Sequence, residues 1–398
     1  MTILVAILAA AFVARLGARL VTGEAHFWTN SYSFLYDLAA GIAKGDGFCK
    51  AADCERQPLY LLFIALTTLA GKNYLFIVIP QALMGAGTAG LAFLIARRMF
   101  NSSAALIACA VTAFYPYYVI HDTALQDTAM VTFALALSVW LLLRASQDGR
   151  GRDWLIAGIA LGALVLVRIS MAPTVAAVLL WAIAWGTSGA LVQRLRSWMI
   201  LVAGIILTLS PWLVHTYRAT GTPLLSTDTG FVLWAGNNAQ TFLYYPDRSI
   251  DLSTHDGLVA MSAADHADRA SLRRDRVAVD NWYRARALAF MREDPWRNMH
   301  YAARKLTAAF SWTFNPYRGM LAQWIYAASY VPVAIFGIAG MVMARRRPET
   351  ALIVALYAAF IAVSAVIFAH TSHRMPLDIY WIVFAASVIS ARATSRSV

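Results

Sequence analysis

The feature that most restricts what this chain can become is a series of ten apolar stretches, near the ~20 residues that an α-helix needs to cross a bilayer. They lie at 2–21, 75–98, 103–120, 127–144, 153–168, 171–186, 197–216, 321–343, 350–369 and 376–391. Backbone polar groups in hydrocarbon must be satisfied within the segment, so each stretch is expected to be a helix. Composition agrees: the chain is 60% hydrophobic and 14% charged, where a soluble domain carries about 25% charge. The expected fold class is all-α integral membrane, with about ten transmembrane helices.

Basic residues orient the chain. They fall at Arg97-Arg98, Arg144 to Arg152, Arg194-Arg196, Arg345 to Arg347 and Arg392-Arg396. With an inside N-terminus and ten spans, all five groups are cytoplasmic, as the positive-inside rule expects. Residues 1–22 lack a basic start and carry Arg15 and Arg19 within or after the apolar run, so they read as an uncleaved first span. The segment 57–72 is apolar but short and begins at a proline. It is placed at the outer interface, because a further span would put residues 24–56 on the same side as Arg97-Arg98. The result is one polytopic domain, 1–398, in a bacterial-type inner membrane. A first outer loop, 22–74, carries an amphipathic helix at 31–45. A longer second outer loop, 217–320, has loop composition in its first half and a helical pattern over about 263–312. Both loops face the periplasm.

The net charge of +12 does not indicate nucleic acid, because much of the Arg sits in the short cytoplasmic turns. The cluster from Arg269 to Arg276 alternates with Asp265, Asp268 and Asp275, as on a solvated helical face. Cys49 and Cys54 flank a polar KAAD stretch, which leaves a small disulfide ring and two free thiols equally open. Cys109, in an apolar run, is packing.

Candidate chemistry gathers at the outer ends of the spans. Asp127 stands at the mouth of a helix, near His121 and Asp122. An ionisable group there is a functional candidate, or else a carboxylate favoured by the helix dipole. Arg168 closes an apolar run, either to bind phosphate or to snorkel to the interface. Arg56 precedes Gln57-Pro58 in the first loop. Gly236-Asn237-Asn238 offers amide donors and acceptors to a hydroxyl-bearing ligand, or is a structural turn. The eight histidines form no HxxxH or HExxH arrangement, so no metal is obligatory, and only His121 with Asp122 could assist a divalent cation. No phosphate-cradling glycine loop or serine-nucleophile signature is present.

Several stretches in order resemble the bacterial polytopic glycosyltransferases related to the protein O-mannosyltransferases and the lipid A aminoarabinose transferase, the GT-C fold. They are LAAGIAKGDGF at 38–48, ERQPLYLLFIAL at 55–66, PQALMGAGTAGLAFLIARRMF at 80–100 and ALQDTAMVTFAL at 124–135. SPWLVHTYRATGTPLLSTDTGFVLWAGNNA at 210–239, residues 282–306 and HRMPLDIYWIVFAA at 373–386 complete the series. The resemblance implies transfer of a sugar, with inversion, from a polyprenyl-phosphate donor to a glycan, lipid or protein acceptor at the outer membrane surface. It also implies contact with membrane lipids, and no nucleic acid. Asp127 matches the family's acidic position and is the expected general base. Arg374, after His373, matches a family phosphate-binding arginine, and Lys305 matches a loop-helix lysine. The family's first-loop Asp is replaced by Asn30, which could orient an acceptor but cannot serve as a base. Asp37, on the amphipathic helix, is the second catalytic candidate. Two other readings stay open: a transporter or flippase of lipid-linked sugars, which would want charged or broken helices at the midplane, and a non-catalytic scaffold of the same fold.

Overall fold

The computed structural model describes residues 2–29, 32–49, 54–187 and 190–395, with side chains through residue 391. The described residues form helices and no strand. The first group is α1 (Thr2–Trp28), α2 (Phe34–Ala43), α3 (Pro58–Thr68), α4 (Leu75–Met99), α5 (Ser102–Phe114) and α6 (Pro116–His121). Next come α7 (Thr128–Asp148), α8 (Gly151–Val167), α9 (Ala172–Trp185) and α10 (Leu191–Thr220). The outer segment holds α11 (Thr229–Ala235), α12 (Ile250–Val259), α13 (Ala263–Ser271), α14 (Arg276–Glu293) and α15 (Pro295–Ala309). The chain closes with α16 (Met320–Met343), α17 (Pro348–Val366) and α18 (Thr371–Ser395).

Seven of these, α1, α4, α7, α10, α16, α17 and α18, are long and apolar enough to cross a membrane. The expected spans near 153–168 and 171–186 are the shorter helices α8 and α9. The expected span 103–120 is not one helix. It breaks at Tyr115, whose backbone is extended (φ −63°, ψ 113°), because Pro116 disfavours a helical predecessor and restarts the helix as α6. The amphipathic helix expected at 31–45 is α2. The region 217–262, expected as loop, contains α11 and α12, and the helical half beyond it divides into α13, α14 and α15. Asp275 and Asp294 cap the last two by accepting from Ala278 N and Arg297 N.

The two ends of the bundle are chemically distinct. At one, Arg98 donates to Asp148 (3.1 Å), Arg144 pairs with Asp153 (2.9 Å), Gln147 donates to Glu349 (3.1 Å) and Trp181 Nε1 donates to the Pro348 carbonyl (2.8 Å). These contacts gather the arginine-rich turns expected to be cytoplasmic. At the other end the two segments expected to be outer loops interlock. Cys49 and Cys54 are joined as a disulfide. The Cys54 amide donates to Thr227 Oγ1 (3.1 Å), the Thr227 amide to the Cys54 carbonyl (3.2 Å), and Ser226 Oγ to the Glu55 carbonyl (2.8 Å).

Between the ends, packing is close. A Cβ on Gly158 of α8 would lie 2.2 Å from the Leu201 carbonyl oxygen of α10, and one on Gly204 would lie 2.5 Å from the Leu155 carbonyl oxygen. Only glycine permits that approach. The main core joins α4, α5, α7, α8, α9, α16, α17 and α18 through residues such as Leu135, Leu142, Trp154, Trp181, Leu356 and Phe384. One ion pair lies inside α1's contact with the bundle. Arg15, fully buried, donates Nε to Asp122 Oδ2 (2.8 Å) and Nη1 to the carbonyls of Ala11 (3.0 Å) and Ala113 (2.8 Å). With its donors turned to protein acceptors, this arginine fastens α1 to the end of α5 and the turn after α6.

Candidate active site

The turn between α6 and α7 carries Asp127 and is held from several sides. Gln81 of α4, completely buried, directs its Nε2 at the carbonyls of Asp122 (3.2 Å), Ala124 (2.9 Å) and Gln126 (3.3 Å). Arg15 holds Asp122. Gln126 Nε2 meets His121 Nδ1 at 2.7 Å, which closes the turn on itself. Asp127 follows at the N-cap of α7, and its side chain makes no capping bond. Its carboxylate is instead taken by Arg168, which donates Nε to Oδ2 (2.9 Å) and Nη2 to Oδ1. Arg168 can reach because α8 ends at Val167 and its own backbone is extended. A two-pronged guanidinium–carboxylate pair fixes orientation as well as charge.

Beside this pair is a cavity of about 80 Å³, lined by Tyr32, Arg56, Gln57, Tyr60, Gln126 and Asp127 among others. Arg56 lies over the Phe34 ring (5.1 Å to its centroid), and its Nε has no hydrogen-bond partner among the described residues. The Tyr60 hydroxyl is likewise buried and has no hydrogen-bond partner among the described residues. Tyr32 is pushed above the usual phenol range, first by burial, then by the Asp127 carboxylate and to a lesser degree by that of Asp251; Arg168 and Arg56 oppose the shift. Asp251 lies in the first turn of α12, where it accepts from Ser249 Oγ (2.8 Å). Tyr32, Tyr60, Gln57, Gln81 and Asp251 were not singled out from the sequence. A tyrosine in a loop or an amide in an apolar helix carries no local signal of its partners.

The other expected site residues lie elsewhere. Asp37 is exposed on α2 and does not line the cavity. Asn30 lies outside the described residues. Asp122 and His121 stand behind the Asp127 turn, engaged by Arg15 and Gln126. The described residues contain no group of three or more His, Cys, Asp and Glu suited to a metal ion.

Arg374 is fully buried in α18. It donates Nε to Asp378 (2.9 Å), Nη1 to the Ala309 carbonyl (3.0 Å) and Nη2 to the Tyr326 hydroxyl (2.8 Å), and it lies over the Tyr330 ring at 3.8 Å. No donor is turned to the cavity. His373 accepts the His370 amide on Nδ1 (2.9 Å). Lys305 and Asn237 form a separate buried knot. Lys305 Nζ donates to Asn237 Oδ1 (2.8 Å) and the Val366 carbonyl (3.1 Å), and Asn237 Nδ2 donates to Leu233 (2.7 Å) and Val366 (2.8 Å) carbonyls. Burial lowers the Lys305 ammonium to about 7. Asn238 closes the neighbouring turn, donating to the Trp234 carbonyl (2.9 Å) and accepting the Gln240 amide (2.8 Å). Lys305 and Asn237 join this segment to Val366 at the end of α17.

Comparison with known proteins follows the same geography. Residues 55–215, from the first outer segment through Asp127 and Arg168 to α10, match the family described as dolichyl-phosphate-mannose-protein mannosyltransferase. Over 81 residues, 20% of this chain and 11% of the other, the sequence is 36% identical to the protein named "Putative mannosyltransferase YkcB" of Bacillus subtilis (strain 168). The oligosaccharyltransferase of Archaeoglobus fulgidus in its apo form superposes on 99% of the chain with a TM-score of 0.58 at 13% identity. The same organism's AglB, in complex with an inhibitory peptide and a dolichol-phosphate, superposes with a TM-score of 0.56, also at 13% identity. The chain spans 52% of each archaeal protein's length. It is therefore a polytopic membrane protein that shares the fold of these archaeal structures and whose 55–215 segment is similar to the dolichyl-phosphate-mannose-protein mannosyltransferase family.

Proposed function

We propose that the chain is a membrane glycosyltransferase that moves a sugar from a polyprenyl-phosphate donor to an acceptor hydroxyl, with inversion, on the periplasmic side of a bacterial inner membrane. One observation carries the reading: a carboxylate, Asp127, fixed by Arg168 on the wall of a cavity that Arg56, whose Nε has no hydrogen-bond partner among the described residues, also lines. That is the minimum a single displacement needs. Asp127 accepts the proton of the attacking hydroxyl. The hydroxyl oxygen bonds to the anomeric carbon from the face opposite the phosphate. The carbon–oxygen bond to phosphate breaks, and its electron pair leaves with polyprenyl phosphate. Arg56 meets the charge that develops on that phosphate, with the Tyr60 hydroxyl as a further donor.

The ten-span topology belongs to this reading. It takes α5 with α6, α8 and α9 as short spans beside the seven long ones, in one polytopic domain, 1–398, with outer loops 22–74 and 217–320. The gathering of arginine turns at one end and of the cavity at the other supports it. The same segregation favours a surface transferase over a transporter, whose polar groups would collect at the midplane.

In the deciding experiment, protein reconstituted in lipid nanodiscs is given a polyprenyl-phosphate sugar with and without candidate acceptors, and released polyprenyl phosphate is measured. Release should depend on acceptor, and Asp127→Asn should lower it by roughly 10²- to 10⁴-fold. Full turnover by that variant would reject the assignment of the base.

A further inference from the structure

A second, larger cavity of about 500 Å³ lies at the outer end of α16. Its walls include Trp312, Tyr317 and Trp324, which are 61%, 59% and 64% exposed, together with Phe314, Asp247 and Gln323. Gln323 is occupied: it accepts the Phe314 amide (2.6 Å) and donates to the Phe314 carbonyl (2.7 Å), stiffening the loop that carries the aromatic rings. Tyr317 is anchored through its amide on the Asp247 carbonyl (3.0 Å). The Asp247 carboxylate itself makes no hydrogen bond or ion pair among the described residues.

The groove adjoins the candidate active site. The Phe314 ring packs on Tyr117 (5.3 Å between centroids) and on His121 (6.0 Å). His121 is bonded to Gln126, which lines the Asp127 cavity. His121 thus touches one lining residue of each cavity, Phe314 and Gln126. The Asp127 cavity, at about 80 Å³, is far below the ~300–1,000 Å³ of typical ligand pockets, whereas the groove falls within that range.

We propose that the groove binds a neutral saccharide, the acceptor glycan of the transfer reaction. This rests on the transferase reading above and adds the acceptor class. Interfacial tryptophans ordinarily scatter round a bundle as a belt, but here three rings converge on one concavity. Their electron-rich faces suit the polarised C–H groups of a pyranose ring, and the free carboxylate accepts sugar hydroxyls. A prenyl tail would lay hydrocarbon against an unpaired carboxylate, which is costly.

The test needs no donor. Full-length protein in nanodiscs is titrated with neutral methyl hexosides and their trisaccharides, and binding is read by saturation-transfer NMR. Wild type should bind at least one probe. Trp312→Ala and Trp324→Ala should weaken it tenfold or more, Trp324→Phe should retain most of it, and Asp247→Asn should weaken it several-fold. Leu207→Ala, on the exposed face of α10, should bind as wild type does. Because the two rings are more than half exposed, their loss leaves the fold intact, which an unchanged thermal transition verifies. The proposal is overturned if no probe binds, if the tryptophan variants bind normally, or if a photoreactive prenyl phosphate labels 312–327 instead. Ring-dependent binding by a protein that transfers no sugar would keep the saccharide site and reject only the reaction.

Discussion

At the scale of residues, the proposed chemistry depends on how firmly one turn is held. Gln81 supplies both amide hydrogens to three carbonyls of the turn that ends in Asp127, while its own Oε1 has no partner. Only its donor end is used, so its role is to position the turn. Gln81→Leu keeps the volume and removes the donors, leaving carbonyls unpaired at about 1 kcal/mol each. The carboxylate then drifts, and small misplacements of a reacting group cost up to ~100-fold in rate. Turnover should fall at least tenfold while the donor KM stays within about twofold, which steady-state kinetics on the purified variant would show. A proportional rise in KM would contradict positioning. Asp127, Arg168 and Arg56 could be picked out of the sequence because each interrupts or borders an apolar run. Their convergence could not, since 112 positions separate Arg56 from Arg168. Arg374 carried a warning in plain view: Asp378 stands four residues later on the same helix, the spacing of an intrahelical pair.

At the scale of elements, apolar run length located the helices, whereas breaks depended on local chemistry that run length ignores. Pro116 divided one expected span, and the aspartate caps at 275 and 294 divided the outer helical region. Contacts between helices were still less legible, because glycine in an apolar stretch looks like any small residue. Yet Gly158 and Gly204 set the distance between α8 and α10. Gly158→Ala must push the helices apart or bend one, and overpacking of this kind costs about 1–3 kcal/mol. The melting temperature in detergent should fall, while a substitution on the exposed face of α10, such as Leu207→Ala, should leave it nearly unchanged. The knot between α15 and α17 makes a prediction in pH. Lys305 sits near 7 in the folded protein and near 10.4 in the unfolded chain. Between those values the unfolded state binds the extra proton, so stability rises with pH. Below about 7 both states are protonated, and the cost of the buried ammonium is complete. From pH 6.5 to 9 the melting temperature of the wild type should therefore climb relative to that of Lys305→Met. Parallel curves would mean the lysine is charged in the folded protein throughout.

At the scale of the whole molecule, the reaction proposed here requires that the two ends of the bundle face different compartments. The arginine turns and the Asp127 cavity occupy opposite ends, so fixing one fixes the other. Lipid-linked sugar, acceptor and released phosphate would then meet only where the outer loops lie. The joined Cys49 and Cys54 belong to that same end, tied through Cys54 to Thr227, and disulfides persist in oxidising compartments. A phosphatase reporter that matures only outside the cytoplasm, inserted after Asp268 in α13, should be active. The same reporter inserted after Arg346, in the turn between α16 and α17, should be silent. Alkylation of intact cells should leave Cys49 and Cys54 unmodified until a membrane-impermeant reductant is added, and then label both. Reversed reporters would place the cavity in the cytoplasm, where neither the disulfide nor a periplasmic acceptor would be found. The transferase reading would then have to be abandoned even if every contact within the site were correct.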